Sequence, residues 1–581
     1  MKVIIVGGVA GGASCAARLR RLDEDSEIIM VEKGPYVSFA NCGLPYHVGD
    51  VIEHESDLLV ASERLFREHF RVDCRTGCEA VRVDPEAKTI DLRDSATGQV
   101  TTESYDKLVL APGARSIRPP IPGIDLDGIF QVRTVPDARE IRQWIERGTS
   151  LLAGMEKYSG FQTVRPKMHA VVVGGGFIGL EMAENLVARG FDVTVIELAD
   201  QVLGPLDPEY GNLVRDFLEL HGVHVVVGDA VARFDRNDGG EAMTVTTQSG
   251  SSHPADLVIL SLGVRPDTEL ARQAGLDIGE RGGIRVDEHM RTSDPDIFAV
   301  GDAVEVRDFV TGEWSLIALA GPANRQARIA ADVIAGRDSA FRGTQGTSIV
   351  GLFGDAIAWT GASEKTLRRL GDSDYEKVYL YPNSHAGYYP GARPIAMKLI
   401  FRKSDGRVLG AQAAGEDGVD KRISHIALAI QLGATVYDLE QAELCYSPPY
   451  GSAKDPINFA GMVAADVLRG DLPVSHWESI GEGFVLDVRE RPELAVESVP
   501  GALNIPVGQL RERIDEVPRD RPVNVVCRSG QRAYTASRML RQRGIDARVI
   551  SGGMLSRAIV NVPRGDRGGR GADRTAPVQS A

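Results

Sequence analysis

Ala170-Val171-Val172-Val173-Gly174-Gly175-Gly176-Phe177-Ile178-Gly179-Leu180-Glu181 reads as a buried strand running straight into a glycine turn and the start of a helix. Gly174, Gly176 and Gly179 fill the three places of the G-x-G-x-x-G fingerprint, in which backbone amides at a helix N-terminus approach a pyrophosphate. The helix is expected to reach about Arg189, where Gly190 stops it, and the next strand, Asp192 to Ile196, ends at Glu197. A carboxylate there suits ribose hydroxyls and disfavours a 2′-phosphate, which would want an arginine. A glycine turn that only caps a helix would not explain strand, turn, helix, strand and acid in this order.

The same device opens the chain. Val3-Ile4-Ile5-Val6 leads into Gly7-Gly8-Val9-Ala10-Gly11-Gly12, a helix is expected from about Ala10 to Arg21, and the strand Glu27 to Val31 ends at Glu32. Gly7, Val9 and Gly12 occupy the glycine places, so the middle one departs from the pattern. Beyond it comes Ser38-Phe39-Ala40-Asn41-Cys42-Gly43-Leu44-Pro45-Tyr46. A free cysteine is ordinarily an inert core residue. Between two nucleotide motifs, with no second cysteine close by on its C-terminal side, Cys42 reads instead as a thiol that cycles with an external sulfur partner.

A chain of 581 residues needs several cores. Its 43% hydrophobic and 25% charged residues are globular values, and a net charge of −15 argues against a nucleic-acid or anionic-membrane partner. The N-terminus enters a strand within two residues and no apolar run reaches membrane-spanning length, so a cytoplasmic protein is expected. Six cysteines are too sparse for a disulfide framework. Cys74 and Cys78 lack the second ligand pair of a zinc site and read as packing residues, and no metal is expected.

Tyr105 to Ala114, Asp256 to Pro266 and Asp296 to Asp302 read as further buried strands with tight turns, the last ending in Gly301-Asp302. An aspartate at such a strand end can hold ribityl hydroxyls. The chain therefore builds one dinucleotide fold, leaves to build a second, and returns. Gly148 to Pro166 reads as a polar insertion without chemistry.

After Asp471-Leu472-Pro473-Val474 the style changes. Val523-Asn524-Val525-Val526 is a buried strand ending in Cys527-Arg528-Ser529-Gly530-Gln531-Arg532, with a helix expected from Ala533. A cysteine facing helix N-terminal amides and two arginines should be a stabilised thiolate or persulfide. A Cys-x5-Arg loop also serves phosphatases, but this shorter loop fits a sulfur better than a phosphate. The junction at Asp471 to Ser475 is expected to be flexible. Residues 563–581, rich in Gly, Arg and Asp, are expected to be disordered.

On these motifs residues 1 to about 470 resemble the flavin-dependent pyridine nucleotide-disulfide oxidoreductases. The stretch around Cys42 is similar to their single-cysteine branch, the coenzyme A-disulfide reductases and persulfide-reducing relatives, and departs from the dithiol branch. Residues 475–562 resemble a rhodanese domain. The implied fold class is α/β, with two Rossmann-like domains for FAD and NAD, an α+β dimerisation domain and a C-terminal α/β rhodanese domain. The expected divisions are 1–115 and 265–326 for FAD, 116–264 for NAD, 327–470 for dimerisation, then the rhodanese domain.

The resemblance implies FAD held by Gly7, Gly8, Ala10, Gly11, Gly12, Glu32, Lys33, Asn41, Ala111, Gly113, Gly301 and Asp302, with Gly263 a further cofactor-binding candidate. NADH, with NADPH possible, would face Gly174, Gly176, Phe177, Ile178, Gly179, Glu181 and Glu197. Within His385 to Gly391 and Cys445 to Tyr450 it implies that Tyr388 and Tyr446 lie near Cys42, with Tyr389 and Tyr450 as rivals. Coenzyme A would be met by Ser14, Arg18, Arg21, Ser38, Asn41, Arg71 and Lys454, Arg18 and Arg21 sharing one helix face. In the rhodanese loop Cys527 would carry sulfur within Arg528, Ser529, Gly530, Gln531 and Arg532. The expected protein is a homodimer in which NADH reduces FAD and the flavin reduces an oxidised form of Cys42, a thiol expected to be held ionised. Persulfides or polysulfides of coenzyme A or another small thiol are the expected substrates. Coenzyme A-disulfide reduction, a sulfenic-acid NADH oxidase or peroxidase, and a non-catalytic redox sensor are the rival readings.

Overall fold

The computed structural model describes residues 1–159, 167–237, 242–481 and 483–560. It divides into two compact units, Met1–Val202 with Leu218–Gly346, and Leu203–Phe217 with the chain from Thr347 onward. The last residues of the expected 148–166 insertion and the expected disordered tail, 563–581, lie outside the described residues.

In the first unit, Lys2–Val6 pairs in parallel with Glu27–Glu32 on one side and Lys107–Leu110 on the other. Asp73–Thr76 and Ile297–Ala299 complete this five-stranded parallel sheet. Its inner strands are continuous apolar runs, as expected of a parallel sheet buried on both faces. The edge strand Ile297–Ala299 comes from the far end of the unit, so the chain does leave and return. A second parallel sheet lies in the order 224–227, 192–197, 169–173, 257–260, 129–131. The helix Ala10–Arg20 packs on Ala320–Ile334 through small buried side chains, Ala13 and Ala16 against Ala323 and Ala327 among them. The segment read as an insertion is in part regular, since one helix spans Val135–Ser159. Cys74 lies in the core and Cys78 packs against it.

The second unit holds a five-stranded antiparallel sheet in the order 348–352, 355–361, 408–415, 396–402, 375–380. It also holds a parallel sheet in the order 474–475, 547–550, 523–526, 485–487, 503–504. Leu486, Val525, Leu540 and Val549 are part of a separate core around that parallel sheet.

The junction expected to be flexible is pinned. Val474–Ser475 is an edge strand paired with Val549–Ile550, and Leu472 is buried in the C-terminal core. Arg538 donates to the Asp471 carbonyl at 2.9 Å. Just beyond, His476 meets Glu376 at 2.9 Å, Lys377 pairs with Glu478, and the Tyr379 amide donates to Ser551 Oγ at 2.9 Å. Asp471 is thus held by a helix of the C-terminal core, and the residues just after the junction by the antiparallel sheet. Among the described residues, no helix is long and apolar enough to cross a membrane.

One buried ion cluster ties Leu203–Phe217 into this unit. The Lys398 ammonium, fully buried, lies 2.8 Å from Asp207, 2.5 Å from Glu209 and 3.0 Å from Glu364. These carboxylates face one another closely enough to hold a cation, and the ammonium supplies it. Burial alone would raise the Glu364 carboxyl, but Lys398 and Lys377 overcome it and lower it from 4.5 to about 2. A carboxyl depressed on folding stabilises above its unfolded value and loses that contribution as pH falls through its folded one. Stability is therefore expected to decline as pH drops from about 4.5 toward about 2. Lys398→Met leaves the carboxylates buried without their cation and should cost about 3–5 kcal/mol in urea unfolding at neutral pH.

Candidate active sites

In the first cradle Gly7 has φ +96°, and a Cβ there would sit 2.1 Å from the Ala111 carbonyl oxygen. A Cβ on Gly12 would sit 1.7 Å from the Gly7 carbonyl. The helix can therefore start against the strand end only with glycine at both places. The Gly8 amide donates to Glu32 Oε2 at 2.9 Å and the Gly34 amide to Oε1 at 2.8 Å, which fixes the acid at the rim of the turn. A cleft beside it is lined by Gly7, Glu32, Lys33, Pro112 and Arg115. Ala10 begins the helix, Gly11 touches Val300, and Ala111 and Gly113 form the facing turn. Asp302 sits in a short 3₁₀ turn, Gly301–Ala303, with Arg133 3.5 Å away. Burial raises the Asp302 carboxyl, and Arg133 opposes it.

The second cradle repeats the geometry. Gly174 has φ +112° with a Cβ position 2.1 Å from the Ser261 carbonyl, and Gly179 would meet the Gly174 carbonyl at 2.0 Å. The Gly175 amide donates to Glu197 Oε2 at 2.7 Å. A Cβ on Gly176, by contrast, meets nothing within 4 Å. Its bareness serves no internal contact and fits a ligand's approach. Phe177 and Ile178 form the first turn of the helix Phe177–Ala188, Glu181 follows one turn on, and Gly263 lies in the turn after the neighbouring strand.

Cys42 stands in a 3₁₀ turn, Asn41–Gly43, that passes directly into the helix Leu44–Val48. The residue is solvent-accessible, but its sulfur is set down among protein atoms. That partial desolvation is the largest influence raising the thiol, followed by the Glu181 and Asp302 carboxylates, with Arg133 opposing. The protein's own groups thus work against the ionised form expected for Cys42 beside a bound flavin. The protein's own charges near it are mainly negative, and Arg133 is shared with Asp302. Asn41 Oδ1 is buried without a hydrogen-bond partner, which fits an external donor. Ser38 holds its backbone at φ 49°. Tyr46, one turn beyond Cys42, donates its hydroxyl to Glu181 Oε1 at 3.4 Å.

The candidate coenzyme A groups are dispersed. Ser14 bonds Asn324, and Arg18 pairs with Asp332 at 2.7 Å. Arg21 lies over the Phe70 ring at 5.2 Å, Arg71 reaches Glu24 at 3.2 Å, and Lys454 is exposed in the second unit. Arg18 and Arg21, expected to share one helix face, engage different partners.

In the second unit the Tyr388 and Tyr446 hydroxyls lie 2.9 Å apart, both side chains exposed. Of their rivals, Tyr389 packs edge-on against His385 and Tyr450 is exposed. Cys527 is buried, and its sulfur accepts from the Gly530 amide at 3.2 Å and the Ala533 amide at 3.3 Å. The helix begins at Gln531, two residues before the expected start, and this brings both amides to the sulfur. Arg532 is held by Glu493 at 2.6 and 2.8 Å, whereas Arg528 is exposed beside Ser529. Glu493 and Arg133 escaped sequence reasoning because each acts across a long stretch of chain. Tyr46 carried a usable signal, four residues after Cys42 at helical spacing.

Gly176→Ala should fold normally and weaken NADH binding about tenfold or more, about 1.4 kcal/mol. Gly179→Ala should instead fail to yield stable protein. Thermal melts of both variants and fluorescence titration with NADH check the contrast.

The description "Pyridine nucleotide-disulphide oxidoreductase" matches residues 1–327, that family's dimerisation domain matches 349–455, and a rhodanese-like domain matches 473–556. The coenzyme A disulfide reductase of Staphylococcus haemolyticus is 32% identical over 467 residues, 80% of this chain and 100% of the relative. The solved structure of reduced Bacillus anthracis CoADR-RHD has TM-score 0.91 at 45% identity, covering 96% of this chain and 98% of that one. A NAD-dependent persulfide reductase from A. fulgidus has TM-score 0.86 at 36% identity, covering 96% of this chain and 100% of that one. With both dinucleotide cradles in the matched region, the chain belongs to the pyridine nucleotide-disulphide oxidoreductases, a family of FAD-dependent enzymes that use NAD(P)H, and carries a C-terminal rhodanese domain.

Proposed function

We propose that this protein is an NADH-dependent persulfide or polysulfide reductase that releases sulfide through Cys42 and gathers sulfur at Cys527. The observation that carries the reading is the pairing of an accessible single thiol with a second, buried cysteine whose sulfur accepts two backbone amides. Amide donors and a helix N-terminus stabilise a terminal sulfur anion. The relatives named for coenzyme A disulfide and persulfide reduction support the substrate class.

In this reading the glycine turns at Gly7 and Gly174 hold the two dinucleotides, with Glu32 and Glu197 at their riboses and Asp302 at the ribityl chain. Bound FAD, reduced by NADH, supplies the two electrons that cleave the S–S bond at Cys42. The Cys42 thiolate attacks a persulfide R–S–SH at its inner sulfur, breaks the S–S bond and expels HS⁻, leaving Cys42–S–S–R. Cleavage of that bond returns the Cys42 thiolate and releases RSH. Attack on the outer sulfur gives instead RSH and a Cys42 persulfide, whose reduction yields sulfide. Tyr388 and Tyr446, assigned to the second subunit's contribution in a homodimer, donate a proton to the departing sulfur. Asn41, Ser14, Ser38, Arg21, Arg71 and Lys454 are assigned to coenzyme A, with Arg18 weaker because Asp332 engages it. Reduction of coenzyme A disulfide runs through the same thiol.

NADH oxidation measured side by side with coenzyme A persulfide, coenzyme A disulfide, polysulfide and oxygen tests the reading. Persulfide should be the fastest acceptor, and faster turnover with oxygen would replace the proposal by an oxidase. Cys42→Ser should keep FAD and its reduction by NADH while losing sulfur turnover by at least about a hundredfold, about 2.7 kcal/mol. Cys527→Ser should lose sulfur transfer from thiosulfate yet still reduce small free persulfides.

A further inference from the structure

One of the carboxylates acting on the Cys42 thiol, that of Glu181, has no part in the proposed sulfur chemistry. Glu181 lies on the helix Phe177–Ala188, and the Tyr46 hydroxyl of the cysteine segment reaches its carboxylate at 3.4 Å. Tyr46 stands one helical turn beyond Cys42, and the Glu181 carboxylate that its hydroxyl reaches is also one of the charges acting on the Cys42 thiol. A Cys42 thiolate beside an ionised Glu181 would place two negative charges in a partly desolvated cleft, and neighbouring like charges resolve this by sharing a proton.

The packed elements offer Glu181 little compensating charge. Glu184, one turn along the same helix, adds a negative charge. From the helix Leu44–Val48, Tyr46 presents its hydroxyl, and His47 bonds the Ile52 carbonyl. Arg142, on the helix Val135–Ser159, and Arg189 both pair with Asp50, while Arg139 is taken by Glu55. Asp302 and Arg133 face the thiol and are paired with each other. In agreement, burial, then Glu184, raise the Glu181 carboxyl to about 7 against the lowering pull of Tyr46.

We propose that Glu181, positioned by Tyr46, is a redox-linked proton site that takes a proton from water as the Cys42 thiolate forms and releases it when that thiolate is consumed in a new S–S bond. The step rests on the proposed redox cycle of Cys42. NADH and Cys42–S–S–R give NAD⁺, the Cys42 thiolate and RSH with atoms and electrons in balance. The proton on Glu181 is one further proton, drawn from solvent to offset the thiolate's charge. It returns to solvent as Cys42 forms its next bond to sulfur. Glu181 thereby lets a thiol that the chain's own charges raise act as a thiolate.

The test is a reduced-minus-oxidised infrared difference spectrum of the FAD-loaded protein at about pH 8, above the ordinary carboxyl range. The protein is first oxidised with coenzyme A disulfide and then reduced with NADH, with free thiols counted in parallel. In the wild type a protonated-carboxyl C=O band should appear on reduction. It should vanish in Glu181→Gln and shift in Tyr46→Phe, which lacks the phenol donor. An S–H band without a carboxyl band in the wild type would place the proton on Cys42 and overturn the inference, as would a carboxyl band that persists in Glu181→Gln. An unshifted band in Tyr46→Phe would remove Tyr46 from the device. If no new thiol appears on reduction, the proposed Cys42 cycle itself fails, a result distinct from all of these.

Discussion

Everything in the two cradles depends on one backbone approach, that of a helix onto the end of the strand before it. At Gly12 and Gly179 even a methyl group would collide with the carbonyl of Gly7 or Gly174. Those carbonyls stand where they do because Gly7 and Gly174 take left-handed backbone angles. Glu32 and Glu197 each accept an amide of the same turn, so the acid's position follows from the glycines'. The departure at Val9 is compatible with this logic. At the middle glycine of the second cradle, Gly176, an added Cβ would meet no protein atom within 4 Å, so its lack of a side chain is not required by packing.

The two cysteines assigned to the proposed sulfur chemistry sit in different settings. Cys527 is buried, yet its sulfur receives two amide hydrogens at the head of a helix. Cys42 is reachable from solvent, yet two carboxylates and partial desolvation raise it. A sulfur carrier benefits from a cradle that steadies a terminal anion. A thiol that alternates between bonded and free states benefits from neighbours that adjust their own protonation as it does.

Much of this fold was legible because it is written in local pattern. Continuous apolar runs marked the parallel strands, and Gly301-Asp302 after Ile297 to Val300 marked the return to the first sheet. The family resemblance pointed to Tyr388 and Tyr446 as a pair near Cys42, and their hydroxyls lie 2.9 Å apart. Contacts between distant residues left no such trace. Lys398 reads as an ordinary alternating strand residue until Asp207, Glu209 and Glu364 converge on it. Asp471 to Ser475 reads as a linker until its strand pairing and the bond from Arg538 are seen. The charges around Cys42 left no local trace either, since Glu181, Asp302 and Arg133 come from three separate parts of the chain.

The central claim is that Cys42 forms and loses a covalent bond to substrate sulfur in each turnover. Mass spectrometry of the Cys42 peptide tests it most directly, after the FAD-loaded protein has met coenzyme A persulfide without NADH and again after NADH is added. The account predicts a sulfur or coenzyme A adduct on Cys42 that disappears on reduction while sulfide is released. An unmodified Cys42 throughout a preparation that still turns over persulfide would contradict it.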